Sequence, residues 1–474
     1  MSLQAPVIEV IPGGVVASSS SAKGKNVRFL FEKQVFWANK VKLYQNKIYL
    51  QNGFQGSSKD AVLQGRKLVY NLSNNFFDAE DVEVSSGFLD VKTRRLFFYG
   101  RSIVFDQAHL GLTFLDLGIS FDTVTTYPGW MVIKDLSIGY GETPFYTIPV
   151  WVYDLRRNAF SIPYPLPEAG ATFYRGNYLL LNWHYYLNEY LYGFTRFGSA
   201  QKKGYMVGCG QILRLDDQQQ VYLGADLWTL RESQVRMEYN FSFMGMPYKK
   251  RALTFGELVE YNRKVSQMDS SDLRATYTKR EEINDEEVDR DMEFAYNGHF
   301  TLLPKLGLDL ELASGRIYEH STTILATRTN SDMNFGYEYP LGFLEPLWWG
   351  LGYFRSDYDV RPWSWQRVEG SVEWGKHFWL FGLGFKYSHY FYDFGASPFL
   401  FDQKYVLPDN NILYDLRLGW KDYHIGVKYW VDIKQDLLVD TTSYLACKIA
   451  GWMWHMSYST LRKTFSLNAE VQLF

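Results

Sequence analysis

Apolar and polar residues alternate in stretch after stretch along the last two thirds of this chain. Residues 423–431 set Tyr423, Ile425, Val427, Tyr429 and Val431 on one face of an extended strand, with His424, Gly426 and Lys428 on the other. Trp430 is an apolar exception on the polar side. Residues 452–458 repeat the pattern with Trp452, Trp454, Met456 and Tyr458, and residues 412–420 with Tyr414, Leu416, Leu418 and Trp420. Further upstream, Leu306, Leu308, Leu310 and Leu312 oppose Gly307, Asp309 and Glu311. Val235, Met237, Tyr239, Phe241 and Phe243 oppose Arg236, Glu238, Asn240 and Ser242. The last stretch puts Phe465, Leu467, Ala469, Val471 and Leu473 on one face and ends on Phe474 at the opposite parity. A strand turns successive side chains to opposite faces, so each stretch predicts a strand with one greasy and one wet face. A soluble sandwich would turn the greasy face inward and a membrane barrel would turn it to lipid. From about residue 171 to 474 the pattern accommodates roughly sixteen to eighteen strands of about ten residues, the length that crosses a bilayer when tilted.

Between Val27 and about Tyr140 the strands read as shorter, interrupted by turn signals at Gln45-Asn46, Asn52-Gly53, Asn74-Asn75 and Ser86-Gly87. Two units share a strand-turn-strand plan: Val41–Tyr44 returning as Ile48–Leu50, and Lys67–Asn71 returning as Phe76–Glu80. Stacked units of this kind predict a jelly roll or a β-solenoid over residues 26–142. Its interior would be built from Val41, Leu43, Leu68, Tyr70, Phe77, Leu96 and Phe98. Residues 1–25, rich in Ser and Gly, read as a flexible arm. A connection over 143–170 carries Pro144, Pro149, Pro163, Pro165 and Pro167. Proline lacks a ladder donor, so the segment is either a rigid linker or a strand pairing made easy to open. One charged stretch, 246–290, holds Lys249, Lys250 and Arg251, then Glu281, Glu282, Asp285, Glu286, Glu287 and Asp289. It predicts a long loop, either simply solvated or bridging cations to acidic lipid; no calcium-loop spacing supports the second.

Composition narrows the class. Aromatics make up 18% of 474 residues, including 36 Tyr and 15 Trp, which suits the interfacial girdles of a barrel. No apolar run approaches the length of a spanning helix. A net charge of −3 without a basic tract argues against nucleic acid as a partner. Cys209 and Cys447, far apart in sequence, could bridge, or simply pack. The first residues lack the charged start and apolar core of an export leader, which a barrel needs and which is therefore expected to have been removed.

Chemistry-bearing motifs are missing. The sequence has no phosphate-binding glycine loop, no Gly-x-Ser-x-Gly elbow and no His-Glu-x-x-His, so neither an enzyme nor a metal or cofactor is expected. His184, His299, His424 and His455 fall on polar strand faces, where a lumen imidazole is expected.

Several segments carry a family resemblance. Gly65–Asn71 with Asp78–Val82 are similar to the jelly-roll strands of OstA domains, and Leu115-Asp116, Thr125–Trp130 and Pro144–Pro149 to the passage from jelly roll into barrel. In these the chain resembles the LptD/OstA family of outer-membrane lipopolysaccharide-assembly proteins. The resemblance implies a periplasmic jelly roll followed by an outer-membrane barrel that inserts lipopolysaccharide or a related glycolipid through a lateral opening. It implies a periplasmic bridge protein of the LptA type and a plug lipoprotein of the LptE type as partners. The seven interior residues above would then line a lipid groove, and Pro163, Pro165 and Pro167 would flank the lateral gate. A passive outer-membrane channel for small or hydrophobic solutes, with a periplasmic β-domain, is the competing expectation.

Overall fold

A computed structural model describes residues 2–5, 7–11, 14–18, 27–31, 34–57, 62–71, 73, 76–86, 89–99, 102–111, 117–140, 143–154, 163–172, 175–216, 218–231, 233–243, 270–284, 286–340, 346–378, 380–403, 410–420, 423–449 and 452–471. The chain divides into two compact units, with the break between Arg156 and Arg157.

The first unit is one antiparallel sheet of fourteen strands. They are β1 (Ser2–Gln4), β2 (Val7–Ile11), β3 (Gly14–Ser18), β4 (Val27–Phe31), β5 (Gln34–Tyr44), β6 (Lys47–Ser57), β7 (Val62–Gly65), β8 (Lys67–Asn71), β9 (Phe76–Ser86), β10 (Leu89–Tyr99), β11 (Ser102–Gly111), β12 (Leu117–Tyr127), β13 (Trp130–Tyr140) and β14 (Thr143–Asp154). Both strand-turn-strand units form in the expected register. Val41 faces Leu50 across a turn whose Gln45 and Asn46 have φ of 48° and 60°, the left-handed pair that a tight hairpin demands. Lys67 faces Glu80, and Tyr70 faces Phe77.

Four of the strands are longer than the alternation suggested because they are bent. Asn52 (φ 61°), Asp81 (φ 50°), Gln107 (φ 49°) and Asp135 (φ 48°) take left-handed conformations in the middle of β6, β9, β11 and β13. The corners lie side by side: Asp81 and Gln107 both fall opposite Arg94, in the gap between the pairs made by Thr93 and by Arg95. At Asn52-Gly53 strand β6 changes partner, from β8 to β7, so this dipeptide is a corner and not a chain reversal. The aligned corners curl the sheet, with an apolar cluster drawn from β3 to β10, as in the expected jelly-roll-type unit.

Two expectations are corrected here. The supposed flexible arm contributes β1, β2 and β3, with Ala17 paired to Val41 and fully buried. Strands β2 and β3 form a local hairpin with Ile11 opposite Gly14, while β1 and β3 pair with β4 and β5 further along the chain, so Ser and Gly content gave no sign of these strands. The proline connection is also shorter than 143–170, because β14 pairs with β13 along its length as the last strand of the sheet. A terminal strand leaves one side unpaired, which is where Pro144 and Pro149 are tolerated.

The turn joining β12 to β13, Pro128-Gly129, has Gly129 at φ 80°, and Tyr127 stacks on Trp130 at 4.4 Å across it. Proline followed by a positive-φ glycine is the type II arrangement. Gly129→Val is expected to destabilise the first unit by about 1–2 kcal/mol in urea titration, through backbone strain alone.

The second unit is a closed antiparallel barrel of eighteen strands, the upper limit of the expected number. They are β15 (Glu168–Thr172), β16 (Gly176–Asn188), β17 (Leu191–Ala200), β18 (Gly204–Arg214), β19 (Gln219–Trp228), β20 (Gln234–Ser242), β21 (Ser270–Ile283), β22 (Glu286–Leu303), β23 (Leu306–Glu319), β24 (Ile324–Tyr339), β25 (Leu347–Tyr358), β26 (Ser364–Phe378), β27 (Phe381–Ala396), β28 (Asn410–Trp420), β29 (Tyr423–Asp432), β30 (Leu437–Ile449), β31 (Trp452–Ser459) and β32 (Thr464–Val471). An even number of antiparallel strands brings the start of β15 and the end of β32 to one rim, called here the near rim. The predicted loop 246–290 is corrected in the same frame. Its acidic half is strand, forming the β21–β22 hairpin at the far rim. Lys249, Lys250 and Arg251 lie outside the described residues, as do Leu115, Asp116 and Phe474.

Candidate functional site

The barrel wall shows which way the alternation points. In β18, Tyr205 (74% exposed), Val207 (54%) and Leu213 face outward, while Met206, Ile212 and Arg214 are buried inside. The same outward row continues through Leu223, Leu227, Met237, Leu312, Leu351, Leu416 and Ile425, all exposed. In a soluble sandwich these leucines would be the core. Here they are the surface, and such a belt is stable only against lipid. Aromatic residues mark its edges: Tyr337, Tyr339, Trp349 and Phe381 towards the near rim, and Tyr205, Tyr387, Tyr414 and Tyr458 towards the far rim.

The inner face is polar and cross-linked by ion pairs between neighbouring strands and, for Arg196 and Asp226, across Gly208 from β17 to β19. Arg196 meets Asp226 at 3.1 Å, Arg274 meets Glu238 at 3.0 Å, and Arg367 meets Asp393 at 3.2 Å. The four histidines lie on this face as expected; His299 bonds Asp309 and His424 packs edge-on to Tyr444. Cys209 and Cys447 lie on the outer face of β18 and β30 as free thiols, so they do not bridge.

Greasy outside, wet inside and closed by strands, the second unit is a transmembrane barrel of the outer-membrane type. This is the architecture of an outer-membrane channel or transporter. No protein-family model matches the chain, and no curated protein does. Among solved structures it is similar to the translocation pore of the P pilus usher PapC, at 8% identity and a TM-score of 0.26 over 92% of this chain and 95% of that one. It is also similar to a chain of the E. coli P pilus tip assembly intermediate PapC-PapD-PapK-PapG, at 7% identity and a TM-score of 0.26. The match covers 91% of this chain and 58% of that chain. At these values the similarity says nothing about what the barrel carries.

The joint that closes the barrel is its weakest. Strand β15 pairs with β32 at three positions, Ala169↔Leu467, Gly170↔Ser466 and Ala171↔Phe465. Apart from the two joints of β15, neighbouring strands share between eight and fifteen pairs, from β19·β20 to β26·β27. The sequence explains the shortfall. Continuing the register backwards would set Pro167 opposite Ala469 and Pro165 opposite Val471, and neither proline can donate to a ladder. The chain turns onto the inner face of β16 instead. There the carbonyl of Pro163 lies 2.6 Å from His184 Nε2, and Asn182 Nδ2 donates to the Leu166 carbonyl at 3.5 Å. Pro165 and Leu166 are buried at this wall. Sequence reasoning placed the three prolines beside the first strand, but gave no sign that His184 and Asn182 hold them inside.

In the first unit the structure brings Val41, Leu68, Tyr70 and Leu96 into one buried cluster, 0%, 4%, 7% and 1% exposed, with Leu43 packed against it. Ile48, Leu50, Phe54 and Ala79 complete the same cluster. The side chains of Phe77 and Phe98 lie outside the described residues, although their backbones pair with each other. These residues pack as one apolar cluster, and further buried apolar residues of the unit, among them Phe121, Ile133, Leu136, Ile148 and Trp151, lie on β12 to β14.

At the edge of that core Lys67 Nζ donates to Glu80 Oε1 at 3.1 Å and Arg66 Nη2 to Glu80 Oε2 at 2.9 Å. The Lys67 hydrogen bond leads in holding the Glu80 carboxyl below its ordinary range, against a partial desolvation. A depressed carboxylate stabilises the fold above its unfolded value and loses that contribution as pH falls through the folded one. The site is largely exposed, so Glu80→Gln is expected to cost at most about 1 kcal/mol at pH 7. Urea titrations of the two proteins should converge as pH falls through the depressed range of the folded Glu80 carboxyl.

Proposed function

We propose that this protein is an outer-membrane translocon that delivers lipopolysaccharide or a related glycolipid to the membrane, with no chemistry of its own. The observation that carries the reading is the three-pair seam between β15 and β32, cut short by Pro165 and Pro167. A glycolipid has acyl chains that belong in hydrocarbon and a sugar head that does not. A closed pore suits only the head. A barrel that can part at one joint lets the head travel in the polar lumen while the chains leave sideways into lipid.

The acyl chains need shelter before the membrane, and the cluster around Val41, Leu68, Tyr70 and Leu96 offers it once the layers of the curled sheet part. A bridge protein of the LptA type would join the sheet by adding a strand. Among the described residues the edge suited to it is β1 and β2, each with one strand partner, because β14 carries Pro144 and Pro149. In this reading the first unit stands in the periplasm. A plug lipoprotein of the LptE type would occupy the polar lumen.

The test is reconstitution. Proteoliposomes of the full chain, with its periplasmic feeder, should transfer fluorescent lipopolysaccharide, and Pro165→Val with Pro167→Val should slow that transfer by lengthening the seam. Free passage of small sugars without glycolipid transfer would instead favour the passive channel.

A further inference from the structure

The far rim of the barrel is bridged by two elements that are neighbours in neither sequence nor strand order. The first is the β21–β22 hairpin. These strands, at 14 and 18 residues, are longer than β16 to β20, which have 9 to 13. About ten residues suffice to cross a bilayer, so the hairpin overshoots it. Its ladder slips twice, between Thr276 and Thr278 and between Thr278 and Glu281, and Arg280 and Asn284 have φ of 58° and 46°. Bulges bend and twist a hairpin out of the plane of its sheet. The bend carries Glu282 to the turns of the first two complete hairpins. Arg175 Nε donates to Glu282 Oε2 at 3.1 Å, and Lys203 Nζ lies 3.6 Å from the same oxygen.

The second element is segment 397–403, which follows β27 and holds the helical turn Leu400–Gln403. It folds back against inward-facing side chains of β22 to β25. Phe399 and Phe401 are buried among Val288, Ile317, Ala326 and Tyr358. Glu319, fully buried, accepts the backbone N–H groups of Leu400 at 3.0 Å and Phe401 at 2.9 Å. Asp402 accepts from Arg328 at 3.0 Å and from the Tyr358 hydroxyl at 2.9 Å. The two elements touch: Ile283 packs on the Phe399 and Phe401 cluster, and Asn284 Nδ2 donates to the Phe401 carbonyl at 2.9 Å.

We infer that the β21–β22 tip and segment 397–403 form a lid over the far mouth, hinged on the Phe399–Phe401 cluster and latched by Glu282 to Arg175 and Lys203. The two sides differ in kind. The hinge side is apolar packing backed by several hydrogen bonds to Glu319 and Asp402, whereas the latch is one carboxylate shared by two cations. Arg175 also lies three residues beyond Thr172, the end of the seam strand β15, so lid and seam share one hairpin. The inference stands whichever solute or lipid the barrel passes.

Burial holds the Lys203 ammonium down to about 8, against the pull of Glu282, with Arg175 and Arg231 opposing its charge and the Trp228 ring 5.6 Å away. The latch therefore weakens as pH rises past 8, when Lys203 loses its proton.

Single-channel recording of the full chain in planar bilayers tests this. Glu282→Gln keeps the shape and removes the charge, and should raise the open fraction about five- to thirtyfold at pH 7. The wild type should open more at pH 9 than at pH 7, and the variant should lose that dependence. In a chain with Cys209→Ser and Cys447→Ser, Arg175→Cys with Glu282→Cys, joined across the latch by a cleavable bis-thiol-reactive reagent, should hold the pore closed and release it on cleavage. Wild-type open fractions for Glu282→Gln at both pH values, in a protein that keeps its β-sheet circular dichroism, would overturn the lid. So would undiminished conductance after quantitative crosslinking across the latch.

Discussion

Leu310→Arg should cost the folded barrel about 2–4 kcal/mol in lipid, whereas Glu311→Arg, one position along the same strand, should change it by less than about 1 kcal/mol. The two residues differ only in parity. Leu310 pairs with Gly298 and Met333, all on the outer face, and it lies within the leucine row 306–312 that meets the hydrocarbon. An arginine there must bury its charge or drag water and headgroups inward. Glu311 pairs with Asn297 and Asp332 on the wet inner face, where a guanidinium gains an acidic neighbour. Urea unfolding in phospholipid vesicles reads both. Equal costs would mean that the greasy face had been assigned to the wrong side.

Closing the seam covalently should stop glycolipid delivery while leaving the barrel folded. Ala169 and Leu467 are directly opposed across β15 and β32. Opposed residues of an antiparallel pair have Cα atoms about 4.5–5.5 Å apart, inside the range a disulfide accepts. With Cys209→Ser and Cys447→Ser removing the native thiols, Ala169→Cys with Leu467→Cys should crosslink under oxidation. Transfer of labelled lipopolysaccharide should then fall to background and return on reduction, because a covalent bond forbids the parting that three ladder pairs permit. Each single cysteine should transfer normally. Full transfer through a quantitatively crosslinked seam would place the exit elsewhere.

Much of the barrel was legible because alternation is a local property with a single physical cause. Tyr423, Ile425, Val427, Tyr429 and Val431 belong to the outer face of β29, and Trp430, which broke the pattern, faces the lumen opposite Leu413 and Asp440. The hairpins at Gln45-Asn46 and between Asn71 and Phe76 were legible for the same reason. The bent strands of the first unit were not, since a left-handed residue at Asp81 or Gln107 shifts the parity and makes one strand read as two. The β1–β4 and β3–β5 pairings were missed because those partners are distant, and the local β2–β3 hairpin because its Ser- and Gly-rich surroundings were read as an arm. The acidic stretch read as a loop because the β21–β22 tip carries charge on both faces, beyond the lipid that imposes alternation lower down. The latch could not be read at all: Glu282 and Arg175 are 107 residues apart, and nothing local marks either. The three prolines were placed beside the first strand by sequence, and the truncated ladder supplies their physical effect.

The most direct test of the account is photocrosslinking at the lumen side of the seam. Outward positions would meet membrane glycolipid in any case, so the probe belongs at Ser466 or Tyr178, which face inward beside Gly170, with Asn334 on the opposite inner wall as control. In cells making labelled lipopolysaccharide, adducts are expected at Ser466 and Tyr178 and not at Asn334, and they should vanish when the feeder of the first unit is depleted. Folded protein giving no adduct at either seam position, or equal adducts at all three, would contradict delivery through the β15–β32 joint.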